Sequence, residues 1–208
     1  MSLIKTNKFI IHNLYKLLSL KYNMVVGWII GLIALIAIVV IIFIYYYNRF
    51  VVLGNRINNS LAQIDVQLKK RADLVPALVK VVQGYAKHEK KIMEEVTKAR
   101  SILVKGGDFQ TKIKAGDQLQ AALGRLFAIA ENYPNLKANE NFLQLQQELA
   151  SIEDKIAYAR QYYNDSVLYL ENASQRFPGV IFFKMYGRQR KEYLKIPETA
   201  RNMPEIDL

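Results

Sequence analysis

From Met24 to Tyr47 the chain reads MVVGWIIGLIALIAIVVIIFIYYY, 24 residues without a charge. At about 1.5 Å of rise per residue, a helix of that length is roughly 36 Å long, and the hydrocarbon core of a bilayer is about 30 Å thick. Covering such a helix on every side in a soluble domain takes more protein than the rest of a 208-residue chain supplies. A cleaved signal peptide has an apolar core of about 7 to 15 residues that ends at small side chains. This run is longer and ends in Tyr45, Tyr46 and Tyr47. Trp28 near one end, the tyrosines at the other and Arg49 just beyond supply the amphipathic rings and the charged stop that favour a headgroup boundary. The expectation is a retained transmembrane helix over 24–47.

Its orientation depends on residues 1–23. That leader carries Lys5, Lys8, Lys16 and Lys21 and no acidic residue, whereas the far flank offers Arg49 and Arg56. With the leader present, the excess of lysine holds the N-terminus in the cytoplasm and exports the rest. With Met24 as the first residue, the preference reverses and the C-terminal bulk is cytoplasmic. Lys5, Lys8, His12 and Lys16 also recur at helical spacing opposite Ile10, Leu14 and Leu17, which suits a helix lying on an anionic leaflet; an unstructured leader or translated upstream sequence is the alternative.

After residue 47 no strand alternation competes with a helical period, and Gly and Pro divide the chain into long pieces. Phe50, Gly54, Ile57, Leu61, Ile64 and Leu68 form the seam of a first piece over 48–70. Asp73 as an N-cap and Pro76 in a first turn predict a bend or a new start there. A second piece then runs to about Lys105, with Leu78, Val82, Tyr85, Ile92, Val96, Ala99 and Leu103 inward, and Gly106 and Gly107 end it. A third begins near Asp108 or Thr111, carries Leu119, Leu123, Leu126 and Ala130, and stops at Tyr133 and Pro134. The fourth repeats Phe142, Leu145, Leu149, Ile152, Ile156, Ala159, Tyr163, Ser166 and Leu170 before Phe177, Pro178 and Gly179. Four apolar stripes joined by short connections predict an all-α fold, an N-terminal transmembrane helix followed by an elongated antiparallel four-helix bundle over 48–179. An aromatic and basic tail, 180–208, is expected to pack on the bundle end or against lipid.

The run QIDVQLKKR (Gln63 to Arg71) with Asp73, Leu74 and Pro76, the turn YPNLKAN (Tyr133 to Asn139) and the pattern IE-KIA-AR-YYN from Ile152 through Arg160 to Asn164 resemble the LemA family over about residues 24–180. The resemblance implies a bacterial single-pass membrane protein with a soluble antiparallel four-helix bundle and no enzymatic activity. It also implies a scaffold or membrane-organising role, with some members associated with magnetosome membranes. Gly54 and the stretch after Gly179 depart from the family pattern, and the leader before Met24 lies outside it, which favours Met24 as the start and a cytoplasmic bundle.

The chemistry in the sequence is sparse. With no cysteine, thiolate nucleophiles, disulfides and cysteine-bound metals are excluded. The position four residues after His88, where a zinc-protease helix needs a second histidine, is Ile92. Glu94 with Glu95, and Glu153 with Asp154, are adjacent carboxylates pointing to different sides of a helix. Gly106, Gly107 and Gly116 match no phosphate cradle and read as helix punctuation. Without the four leader lysines the formal charge falls from +11 to +7, spread over long helices with no groove-reading motif, so no nucleic-acid partner is expected. Lys69, Lys70 and Arg71, and Lys184, Arg188, Arg190 and Lys191 near aromatics, fit anionic lipid or an acidic partner.

The candidate positions are therefore Arg71 and Asp73, expected to cap a helix junction, and Arg160, Tyr163 and Asn164, expected to hydrogen-bond across the bundle. No catalytic residue, metal or cofactor is expected, and no small-molecule substrate. The expected function is a non-catalytic scaffold or adaptor in the plasma membrane, held in the bilayer by 24–47, with an unknown protein partner and self-association left open. A regulatory subunit of a membrane protease or transport system is the alternative.

Overall fold

The computed structural model describes residues 2–187, 189 and 191–195, with side chains from residue 20 onward. Among them every regular element is a helix: α1 (Ser2–Tyr85), α2 (Lys90–Lys105), α3 (Phe109–Ala130), α4 (Pro134–Lys137), α5 (Glu140–Gln175) and α6 (Gly179–Met185). These fall into two compact units, one of residues 1–51 with 176–188 and one of 52–175 with 189–208.

In the first unit, α1 carries the charge-free stretch, which is long and apolar enough to cross a membrane and is uncovered by protein along most of its length. Trp28 is 81% exposed and Ile41 65%. α6 packs on the end of this stretch through rings. Phe182 stacks on Tyr46 at 5.3 Å and meets Phe43 edge-on at 6.0 Å, and Phe183 meets Phe50 at 5.4 Å. Such ring pairs contribute about 0.5–1.5 kcal/mol each beyond the area they bury. The Tyr186 hydroxyl donates to the Phe43 carbonyl at 2.9 Å, and Gly187, at φ 60°, ends the element.

In the second unit, α1 buries Leu53, Ile57, Ser60, Ile64, Leu68, Ala72, Val75, Leu78 and Val82, so Gly54 and Leu61 lie to the side of the true seam. The bend expected at Asp73 and Pro76 does not occur: α1 continues through Pro76 to Tyr85. A proline inside a helix leaves the carbonyl four residues back without its donor. Here that carbonyl belongs to Ala72, and Arg100 Nε of α2 donates to it at 2.8 Å. A side chain from the next helix thus replaces the hydrogen bond that Pro76 cannot make.

The chain reverses ten residues later than expected, at Ala86–Glu89, so α2 is a short separate helix. The signal for this turn is the polar run Lys87, His88, Glu89, Lys90, Lys91, which opens a five-residue gap between buried Ala86 and buried Ile92. Tyr85, expected inside, is exposed at this turn. Gly106 and Gly107, at φ 78° and 142°, end α2 as expected. Asp108 then precedes α3 with Thr111 donating to its carboxylate, a bond that holds the Asp108 pKa below its ordinary value. Gly116 is not punctuation. It lies buried inside α3, where an added Cβ would stand 2.5 Å from Leu68 Cδ2. The missing side chain lets α3 approach α1 closely, and any larger residue forces Leu68 out of its packed rotamer.

At the other end of α3, α4 fills the Tyr133–Asn139 turn, and Asn139 Oδ1 accepts from Phe142 N at 3.0 Å as the N-cap of α5. The 3–4 pattern read for the last long piece is buried in α5 from Phe142 to Leu170, Leu145 alone being half-buried.

Removing the Arg100 side chain should cost about 1.5–3 kcal/mol, the range for a hydrogen bond to a charged donor. In a Pro76→Ala background, where residue 76 regains an amide hydrogen for Ala72, Arg100→Ala should cost clearly less. A double-mutant cycle on the full chain in detergent, read by urea unfolding, checks this; equal costs in both backgrounds contradict the substitution of one donor for the other.

Candidate functional site

Two of the sequence candidates meet in one network inside the second unit. Arg71, only 2% exposed, lies on α1 between buried Leu68 and Val75, so the helical period itself turns its long side chain inward. Its Nη1 donates to the Gly116 carbonyl at 3.3 Å and its Nη2 pairs with Glu153 of α5. Arg160, two turns further along α5, pairs with Asp117 of α3 at 2.6 Å. Two guanidinium groups and two carboxylates thus tie α1, α3 and α5, and the Nε atoms of both arginines are buried with no protein partner.

The electrostatics decide what this network can do. Burial, and then the neighbouring Arg160 charge, lower the Arg71 pKa well below the ordinary guanidinium value, to about 10, with Asp117 opposing the shift. Arg71 therefore stays protonated at neutral pH and has no proton to exchange there; the network holds charge rather than transfers it. A basic group whose folded pKa is depressed stabilises the fold only above its unfolded pKa, so at pH 7 the charge on Arg71 opposes folding. The shift corresponds to roughly 3 kcal/mol. That figure is already net of the attraction of the neighbouring groups, and a buried ion pair is in general no more stabilising than apolar side chains of the same volume.

Tyr163 and Asn164 do something else. They dock the segment after α6 onto α5. Asn164 Nδ2 donates to the Leu194 carbonyl at 3.1 Å and its Oδ1 accepts from Leu194 N at 2.9 Å, so one amide side chain pairs with both backbone groups of Leu194, itself buried. The Tyr163 hydroxyl donates to the Glu192 carbonyl at 2.9 Å, and burial followed by the Glu192 charge pushes its pKa above 10.0. Tyr193 closes the set by donating to Glu171 at 2.7 Å. Of the basic tail positions, Lys184 and Lys191 are described and Arg188 and Arg190 lie outside the described residues.

Asp73 joins neither set. It is exposed on α1, and because α1 does not break there it caps nothing; Arg71 caps nothing for the same reason. Sequence reading missed Asp117, Glu153 and the Gly116 carbonyl as partners of Arg71 and Arg160, since a helix period shows which side chains face inward but not which charges face each other. It also missed a surface groove of about 450 Å³ lined by Gln63 and Gln67 of α1 and Ser151, Asp154, Lys155 and Tyr158 of α5. Tyr158 is 68% exposed there.

The model of the LemA family matches residues 60–208, which include every residue of the network, the docked segment and the groove, and the chain belongs to that family. It is 27% identical over 173 residues to the magnetosome protein MamQ of Magnetospirillum gryphiswaldense, a match covering 71% of this chain and 64% of the relative. It is 23% identical over 175 residues to magnetosome protein MamQ 2 of Paramagnetospirillum magneticum, covering 72% and 64%. A protein LemA of Metamycoplasma hominis is 28% identical over 111 residues, covering 53% of this chain and 51% of that one. The match thus spans less than two thirds of the length of these relatives.

Truncating Arg71 to Ala leaves Glu153 without its partner and should cost about 3 kcal/mol, the lower end for a broken buried pair because Glu153 retains some access to water. The apolar pair Arg71→Met with Glu153→Leu should restore stability to within about 1 kcal/mol of the parent. Thermal or urea unfolding of the three forms decides. A double variant as unstable as the single one shows that the charge pair itself is required for folding.

Proposed function

We propose that this chain is a membrane-anchored scaffold or adaptor that presents a helical surface to a protein partner and carries out no catalytic step. The carrying observation is a 24-residue charge-free stretch with no protein cover except the α6 rings at its end, in the same continuous helix that supplies Gln63, Gln67 and Arg71. In this reading residues 24–47 cross the plasma membrane. The second unit is an elongated antiparallel four-helix bundle, whose members are α1 beyond residue 51, α2, α3 and α5. Translation from Met24 leaves Arg49 and Arg56 as the nearest flanking charges, which puts the bundle on the cytoplasmic side.

The docking surface in this reading is the groove between α1 and α5. Gln63 and Gln67 from the first sequence motif and Lys155 from another converge there, beside Asp154 and Tyr158. An exposed tyrosine beside polar side chains is the kind of residue that anchors protein interfaces. The Arg71 and Arg160 pairs then serve to fix α5 against α1 and α3, which keeps the groove in one register. The names of the two MamQ relatives, both magnetosome proteins, support a part in organising an assembly.

A photocrosslinking residue at position 158 in native membranes should capture one or a few discrete protein partners, or a second copy of the chain. The same residue at Val104, exposed on α2, should not. Equal or absent capture at both positions contradicts the groove as the docking surface. A single stoichiometric protease or transporter partner turns the adaptor into a regulatory subunit. Protease added to intact cells should leave the bundle uncut; digestion from outside overturns the cytoplasmic side.

A further inference from the structure

We propose that α6 is a second membrane contact, an interfacial helix whose exposed Ile181 and Met185, with Phe177 in the turn before it, enter the headgroup boundary of an anionic leaflet. Ile181 and Met185 lie one helical turn apart on α6 and are 55% and 56% exposed, and Phe177, just before the helix, is 81% exposed. The opposite side of the element is spent on protein: Gly179 and Phe183 are buried, and Phe182 and Tyr186 pack on α1. Two large apolar side chains on the outer face of a short helix, with a third exposed in the turn that leads into it, offer an apolar surface, and such surfaces mark contact with a protein or a membrane.

What covers this surface follows from where α6 is attached. Its partners on α1 are Phe43, Tyr46, Tyr47 and Phe50, with ring centroids 5.3–6.1 Å away, and Tyr186 bonds the Phe43 carbonyl. These positions bracket the end of the charge-free stretch, at the turn where apolar residues give way to Tyr45, Tyr46, Tyr47 and Arg49. When that stretch crosses a bilayer, its ring-rich end sits at the boundary, and α6, fixed to those rings, lies at the same depth. Arg176 and Lys184 are exposed beside these apolar residues, and no acidic residue occurs between Glu171 and Glu192. Lysine and arginine next to an apolar face reach up to lipid phosphate while their stems stay in the apolar layer. The inference rests on the reading of 24–47 as a membrane anchor and adds a lipid-binding element remote from it in sequence.

The chain has a single tryptophan, Trp28, inside the charge-free stretch, so one experiment separates the two readings. The full chain is reconstituted in vesicles of phosphatidylcholine and phosphatidylglycerol carrying brominated acyl chains. In the parent, quenching of Trp28 reports the anchor. In the Trp28→Phe, Ile181→Trp form, and in Trp28→Phe, Met185→Trp as a second reporter, emission reports α6. Blue-shifted emission that the bromolipid quenches, at both reporters, is the result expected. Trp28 quenched while both α6 reporters emit at long wavelength and yield only to aqueous iodide overturns the inference and leaves the anchor standing. Trp28 unquenched overturns the anchor, and the inference with it. Replacing phosphatidylglycerol by phosphatidylcholine should reduce quenching at the α6 reporters and leave Trp28 unchanged; equal quenching at the α6 reporters in both lipids removes the anionic preference.

Discussion

A helix surface with no charge for 24 residues, left bare by protein except where α6 packs on its end, sets the terms for the rest of this molecule. In water, each exposed apolar side chain there forgoes about 1.5–3 kcal/mol of burial, and a chain with a stability of about 5–15 kcal/mol cannot carry that many uncovered. Lipid removes the difficulty without any further protein. It also gives sense to the tyrosines and Arg49 at the end of the stretch, and to a short ring-rich helix, α6, that packs on that end from a point more than a hundred residues later in the chain.

The second unit meets the opposite problem, polar groups in a dry interior. Pro76 leaves a carbonyl without a donor, and Arg100 supplies one. Arg71 is drawn inside by the helical period, and Gly116, Glu153 and the neighbouring Arg160–Asp117 pair satisfy most of what its charge demands. Asn164 treats Leu194 as a strand would treat its neighbour, exchanging both backbone hydrogen bonds. Each solution brings a group from a different helix or from the tail. These contacts fix the register of α1, α3 and α5 more sharply than apolar stripes alone, which tolerate sliding. Holding Arg71 charged in the core costs stability even with its partners in place, so its place there is better explained by register than by stability.

Much of this was legible in the sequence because it is periodic. The charge-free stretch, the inward residues of α5 from Phe142 to Leu170, and the ends of α2 and α3 at Gly106 and Tyr133 all follow from spacing and from Gly and Pro. The family was legible from three motifs. The errors come from tertiary rescue. Pro76 signals a break only if nothing repairs its missing bond, and the repairing group, Arg100, lies 28 residues from the carbonyl it reaches. With the break misplaced, the turn at Lys87–Lys91 passed as part of a continuous helix, and Tyr85 was assigned to the core. Gly116 looked like a terminator because a glycine needed for close approach is identical in sequence to one needed for a positive φ. The pairing of Arg71 with Glu153 across 82 positions has no one-dimensional signature.

The central claim is that residues 24–47 remain on the mature chain and hold it in a bilayer. Extraction of native membranes with alkaline carbonate, followed by determination of the first residue of the chain that stays behind, tests it most directly. The account predicts that the protein resists extraction, floats with lipid, and begins at or before Met24. A protein released into the soluble fraction, or one whose first residue lies beyond Tyr47, contradicts it.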